Sequence, residues 1–79
     1  MAFVTRLYPL DPLENGRPHA TTECSWRLAT RDGHTVLQLD SRGSAERKDV
    51  GTVSQSLQLD ESTARELAAV IRTAFPPIG

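Results

Sequence analysis

Residues 24–40 alternate between apolar and polar side chains on both sides of the dipeptide Asp32-Gly33. Period-two alternation is typical of a β-strand with one buried face. An Asp-Gly pair tolerates positive φ at both central positions of the two-residue turn that joins antiparallel strands. The sequence therefore predicts a β-hairpin over residues 24–40. The face expected to be buried carries Cys24, Trp26, Leu28, Thr35, Leu37 and Leu39.

The tetrapeptide Leu-Gln-Leu-Asp occurs twice, at residues 37–40 and 57–60. The second copy ends the segment TVSQSLQL, which also alternates and predicts a third strand over residues 52–59. Both copies place two leucines on the buried face and a glutamine on the other. Because their flanking residues share nothing, we interpret the copies as two strands with the same alternation. Asp40 is expected to end its strand and lead into a charged loop at 41–51.

Asp60 precedes a segment with helical periodicity, ESTARELAAVIRTAFPP. Its carboxylate is suited to capping the free amides of a first helical turn, and Glu61 complements the helix dipole there. Two prolines at 76 and 77 are expected to end the helix. The apolar stripe, expected to face the core or a dimer partner, consists of Ala64, Leu67, Ala68, Ile71, Ala74 and Phe75.

The segment before the hairpin predicts little regular structure. Residues 1–8 are expected to supply an N-terminal strand, in which Phe3, Thr5 and Leu7 share a face. Residues 9–21 contain three prolines and Asn15-Gly16, which indicate a turn-rich connection. Residues 22–76 then form a sheet-plus-helix core, and the 79 residues make a single domain. The predicted fold class is α+β, an antiparallel sheet of three to four strands packed against one C-terminal helix.

Size and composition restrict the functions that this fold can serve. A chain this short buries roughly 60% of its unfolded surface, so its core is thin and oligomerisation is a common supplement. The net charge of −1 gives no overall attraction to nucleic acid or to an anionic membrane. No apolar run approaches the roughly 18 residues of a membrane span, and residues 1–13 lack the apolar core of a signal peptide. With one unpaired cysteine, we expect a cytoplasmic protein without a membrane partner.

The sequence offers no set of residues with the spacing of a catalytic or metal site. Cys24 lies in the apolar phase of its strand, where a free cysteine usually packs. His19 and His34 lack the spacing of metal ligands, and the glycines are too dispersed for a phosphate-binding loop. Asp40 and the acids of the 41–51 loop are expected to be exposed, where a carboxylate is a poor general acid. We therefore expect no enzymatic activity, no metal and no cofactor.

Basic residues occur on the polar phase of the first hairpin strand and in the charged loop. They are Arg27, Arg31, Arg42, Arg47 and Lys48. If these side chains share a face, they form a local basic stripe despite the neutral composition. The alternative is an ordinary solvated loop of mixed sign.

The order of these elements resembles the single-stranded DNA-binding domain of the transcriptional coactivator p15 family, also called PC4-like. That family has a strand, a Gly-containing turn, a strand ending in a charged excursion, a glycine-led strand and a helix. The segment RDGHTVLQLDSR has the form of the start of the family's second strand, and DVGTVSQSLQL matches the start of its third strand loosely. The resemblance covers residues 26–71 of this chain.

The resemblance implies a homodimer that binds single-stranded or distorted DNA through its sheet and loop, as a transcriptional accessory factor. It assigns the nucleic-acid contacts to Arg27, Arg31, Arg42, Arg47 and Lys48, and it makes the apolar face of the helix a candidate dimer surface. The alternative is a protein–protein interaction module that partners a DNA-binding regulator or nuclease through an exposed strand edge, with no nucleic-acid contact of its own.

Overall fold

The computed structural model describes residues 1–42 and 53–77. Its elements are β1 (Ala2–Val4), β2 (Cys24–Arg31), β3 (His34–Arg42), β4 (Val53–Leu59) and α1 (Glu61–Ala74). The four strands form one sheet in the order β1-β4-β3-β2, and α1 contacts β3 and β4. The predicted α+β class is confirmed.

The sheet is mixed, whereas the sequence predicted an antiparallel one. Strands β2, β3 and β4 are antiparallel neighbours, but β1 pairs with β4 in parallel. A parallel pair needs a long connection, and here the whole hairpin lies between the two strands in sequence. The first strand is also shorter than expected, and residues 5–23 contain no helix or strand. The charged loop, apart from its first two residues, lies outside the described residues, as do Arg47 and Lys48.

The hairpin is the one predicted from Asp32-Gly33. Asp32 has a φ of 49° and Gly33 a φ of 78°, as a two-residue turn with both central residues left-handed requires. The ladder begins at once, because Arg31 pairs with His34 across the turn.

The two Leu-Gln-Leu segments are antiparallel neighbours on β3 and β4. Leu37 pairs with Leu59, and Leu39 pairs with Leu57, so the four leucines share a face. On the opposite face, Gln38 pairs with Gln58. The repeat therefore reflects two strands that match each other residue by residue, with the leucines and glutamines in the predicted phases.

The register defines two faces of the sheet. We call one the leucine face; it carries Trp26, Leu28, Leu37, Leu39, Leu57 and Leu59. We call the other the polar face; it carries Phe3, Ser25, Arg27, Arg31, Val36, Gln38, Asp40, Arg42, Ser56 and Gln58.

Helix α1 begins as the sequence predicts. The Asp60 carboxylate accepts a hydrogen bond of 2.8 Å from the Thr63 amide, so the capping role is confirmed. The helix ends at Ala74, and the amide of Phe75 donates to the Ile71 carbonyl before the two prolines. No helix in the described part of the chain is long and apolar enough to cross a membrane.

The core is thin. Within residues 1–42 and 53–77, the only hydrophobic side chains that are buried are Val36, 2% exposed, and Leu59, 3% exposed. Ala64 lines one cavity with Leu37 and Leu59, which places the start of α1 beside the leucine face. Thr63 is buried at that contact end of the helix.

The far half of α1 leaves its apolar stripe uncovered. Ala64, Leu67 and Ala68 are half-buried, whereas Ile71 and Phe75 are exposed. The stripe therefore divides into a packed first half and a free second half.

The expected burial of the β2 side chains was wrong. Trp26 is 69% exposed, and Leu28 and Cys24 are exposed as well. They lie in the predicted phase, but β2 is the outer strand, and α1 contacts β3 and β4. Alternation predicts which face a residue is on, and it does not predict whether anything covers that face.

Candidate nucleic-acid interface

The polar face is concave. The Arg31 guanidinium lies over the Phe3 ring, with 3.9 Å between its carbon and the ring centroid. Arg31 is on β2 and Phe3 is on β1, which are the two edge strands of the sheet. In a flat sheet these strands lie roughly 14 Å apart, three strand spacings. The contact indicates that the sheet curls toward its polar face.

Asp40 is the most buried side chain on this face. It lies inside β3, only 2% exposed, which corrects the expectation that it ends the strand in an open loop. The Ser56 hydroxyl donates to its Oδ1 at 2.6 Å, and the Gln38 amide donates to both carboxylate oxygens at 3.1 Å. A buried carboxylate needs such donors, and the strands opposite and beside it supply them.

These partners hold Asp40 in its charged form. The hydrogen bond from Ser56 is the largest cause of a lowered pKa at this carboxyl, followed by the bond from Gln38. The positive charges of Arg27 and Arg42 lower the pKa further, against the opposing effect of burial. The Arg27 Nε lies 3.9 Å from Oδ2. Asp40 is thus a fixed negative charge and a hydrogen-bond acceptor only.

Arg42 is anchored where β3 leaves the sheet. Its Nη2 donates to the Ser25 hydroxyl at 2.8 Å. Its backbone amide donates to the Glu23 carbonyl at 2.9 Å, and the Thr22 hydroxyl donates to its own carbonyl. These bonds fix the guanidinium on the polar face beside β2.

Three of the five predicted contact residues therefore lie on one face. Arg27, Arg31 and Arg42 alternate in phase and occupy the polar face, and the first two are exposed. Arg47 and Lys48 fall outside the described residues. A contact of any of the five with nucleic acid stays a prediction.

Sequence reasoning missed the remaining polar-face residues. Phe3 was grouped with Thr5 and Leu7, yet it pairs with Gln58 and lies on the polar face. The glutamines were expected to point away from the leucines, but not to bond to each other. The matched tetrapeptides were the available signal for that bond, because antiparallel pairing of the copies sets one glutamine opposite the other.

A cavity of about 330 Å³ opens on the polar face. Its lining includes Phe3, Arg31, Gln38, Asp40 and Gln58. This volume falls at the lower end of the range of small-ligand sites, which starts at roughly 300 Å³. The cavity combines a stacking pair with carboxylate and amide groups.

A larger cavity, of about 920 Å³, lies between the hairpin turn and the start of α1. Its rim has mixed charge, from Arg31 and His34 on one side and Asp60 and Glu61 on the other. No group of three metal-ligating side chains occurs within the described ranges 1–42 and 53–77.

Comparison of the chain with known protein families, curated proteins and solved structures found no match. The functional argument therefore depends on the geometry of the polar face and on the sequence pattern.

Proposed function

We propose that this protein binds single-stranded nucleic acid through its polar face, as a small accessory factor in the cytoplasm. The observation that supports the proposal most strongly is that Arg27, Arg31 and Arg42 share one concave face, on which Arg31 stacks on Phe3.

The charge balance of this face differs from that of the whole chain. Among the polar-face residues named above, three arginines stand against one carboxylate, Asp40, which gives 3 − 1 = +2. The whole chain has a net charge of −1. Acidic side chains lie elsewhere, in the hairpin turn and in the first turns of α1. Phosphates are attracted by such a local excess of positive charge even when the molecule as a whole is nearly neutral.

The Arg31–Phe3 pair supplies the second requirement of single-strand binding. Proteins of this kind combine a positive groove for the backbone with planar groups on which bases stack. A guanidinium plane serves as such a platform, and here the ring beneath it fixes its orientation. Phe3 is half-buried and Arg31 is exposed, so the guanidinium is the surface that a base would meet.

The test is the binding of a labelled single-stranded oligonucleotide of mixed sequence at two salt concentrations. We expect affinity that weakens with salt, since cations on the phosphates are released on binding. The double variant Arg27→Gln/Arg31→Gln should lower affinity at least tenfold, and its log–log salt slope should be shallower by about 1.4, roughly 0.7 per lost phosphate contact.

Arg65→Gln is the matched control, because Arg65 is an exposed arginine on α1 whose described ion pair, with Glu61, is solvent-exposed. It should bind as the unmodified protein does. Absence of binding at low salt, or equal loss in the control, would contradict the proposal.

We further propose that a second copy of the chain covers the free apolar surface. That surface, which we call the free patch, consists of Trp26, Leu28, Val70, Ile71 and Phe75, all exposed. A soluble monomer rarely leaves this much apolar side chain uncovered above so thin a core. Homodimerisation would bury the patch and leave the polar face of each copy open.

A second function is favoured by one observation. Strand β2 is an outer strand of eight residues, with backbone groups on one side free to pair with another chain. A module that binds a different protein, such as a DNA-binding regulator or nuclease, would use this edge by strand addition. The oligomeric state distinguishes the two partners, as argued below.

A further inference from the structure

We infer that the polar face selects among bases: Gln58 reads the edge of a base stacked on Arg31 and prefers cytosine or adenine to uracil, thymine or guanine. The inference rests on the proposed function and adds a specificity-determining residue to it. It follows from the direction of a chain of hydrogen bonds that ends at Gln58.

The direction is set at Asp40. A carboxylate only accepts, so the group of Gln38 that faces it must be the amide NH₂, at 3.1 Å from both oxygens. The other end of the Gln38 amide is then its Oε1, and this oxygen accepts from Gln58 Nε2 at 2.8 Å. Gln58 in turn must keep its NH₂ toward Gln38.

This chain removes the usual ambiguity of a glutamine. A free side-chain amide turns over readily and presents either its donor or its acceptor to a ligand. Turning Gln58 would set two NH₂ groups or two carbonyls against each other along the chain. Gln58 therefore offers Oε1 as an acceptor, with its second N–H beside it, in one fixed order.

Register brings this amide to the stacking pair. Gln58 lies directly opposite Phe3 in the parallel ladder, and both line the 330 Å³ cavity together with Arg31. Asp40, Ser56 and Gln38 lie one step further across the sheet and hold the amide from behind. A base on the Arg31 guanidinium thus has its edge near Gln58.

The fixed order distinguishes bases by chemistry. Cytosine and adenine each present an exocyclic NH₂ donor next to a ring-nitrogen acceptor, the complement of an amide with carbonyl first and N–H second. Uracil and thymine present a carbonyl next to a ring N–H, and guanine does the same on its Watson–Crick edge. For these bases the locked amide opposes acceptor to acceptor and donor to donor.

The experiment compares oligodeoxycytidine with oligodeoxyuridine of equal length, at pH 7.5 and one salt concentration. The two ligands share backbone, ring size and flexibility, and they differ in the edge that Gln58 would read. A bidentate contact of this kind contributes roughly 1–3 kcal/mol of discrimination between bases. We expect the cytidine oligomer to bind about 5- to 20-fold more tightly, the lower part of that range, because the site is open to water.

Gln58→Met keeps the length of the side chain and removes its polar groups, and it should bring the two affinities within about twofold of each other. Gln55→Met is the matched control: the same change on the same strand, at an exposed residue of the opposite face. It should keep the preference for cytidine.

The outcomes separate the two proposals. Tight, salt-dependent binding with equal affinities for both oligomers would overturn the base selection and leave the proposed function standing. A preference that survives Gln58→Met would also overturn it, since another group would then be reading the base. Failure of both oligomers to bind at low salt would overturn the proposed function and the base selection together.

Discussion

At the scale of single residues, Asp40 organises the polar face. It is an acid in the middle of a strand, and it is tolerated there because Ser56 and Gln38 donate to it and two arginines lie nearby. The same bonds orient the glutamines that line the cavity. A residue that looked like the start of a loop is thus the point from which the geometry of the candidate site is fixed.

This role predicts how stability depends on pH. The pKa of Asp40 and that of Asp60 are both below the usual 3.8 in the folded chain, so the unfolded chain binds protons first as the pH falls. The stabilisation is complete above about pH 5, and it is lost as the pH falls through 3.8 toward the folded pKa values. Asp40→Asn should lower the thermal midpoint at pH 7, and its midpoint should approach that of the unmodified protein near pH 3.

Thermal unfolding followed by circular dichroism from pH 7 to pH 3 checks this expectation. Asp11→Asn, in the exposed connection before β2, is the matched control and should follow the unmodified protein at every pH. A constant gap between Asp40→Asn and the unmodified protein over the whole range would mean that the charge of Asp40 contributes nothing to folding.

At the scale of the elements, local signals in the sequence were sufficient and non-local ones were not. The hairpin turn, the start of α1 and the phases of three strands each depend on residues close together in the chain, and all were predicted. Burial of Asp40 depends on Ser56 from the next strand, and the place of Phe3 depends on a parallel pairing with a strand at the other end of the sequence. Neither pairing leaves a mark in the residues themselves.

The two leucines of the second tetrapeptide test how the elements are held together. Leu59 is buried against the start of α1, whereas Leu57 is 43% exposed on the same face. Leu59→Ala should lower the free energy of unfolding by about 2–4 kcal/mol, from lost burial and the cavity left behind. Leu57→Ala should cost about half as much, because less of its surface is removed from water.

Urea denaturation of both variants at the same protein concentration makes this comparison, with the slope of each curve checked for constancy. Equal losses would mean that Leu57 is as well covered in solution as Leu59. In that case a partner, and not α1, would supply much of its burial.

At the scale of the whole molecule, the division between two faces is the main result. One face of the sheet is polar, concave and positively charged, while the other is apolar and only partly covered by α1. Two buried hydrophobic side chains in the described residues are few for a stable domain, and marginal cores of this size are commonly completed by association. The free patch on β2 and the second half of α1 is the surface available for it.

Trp26 reports directly on that association, because it is the only tryptophan and it lies in the free patch. If a second copy covers the patch, dilution from micromolar to nanomolar concentration should shift its fluorescence to longer wavelength as the dimer dissociates, and the thermal midpoint should rise with protein concentration. Ile71→Ser, on the opposite side of the patch from Trp26, should move the dissociation to at least tenfold higher concentration. Leu13→Ser, an equally polar change at an exposed leucine outside the patch, should leave it unchanged. Red-shifted emission at every concentration, with a light-scattering mass near the 8.7 kDa of one chain, would contradict the homodimer. The exposed β2 edge would then be the surface to probe with a different protein partner, because the free patch would still need cover.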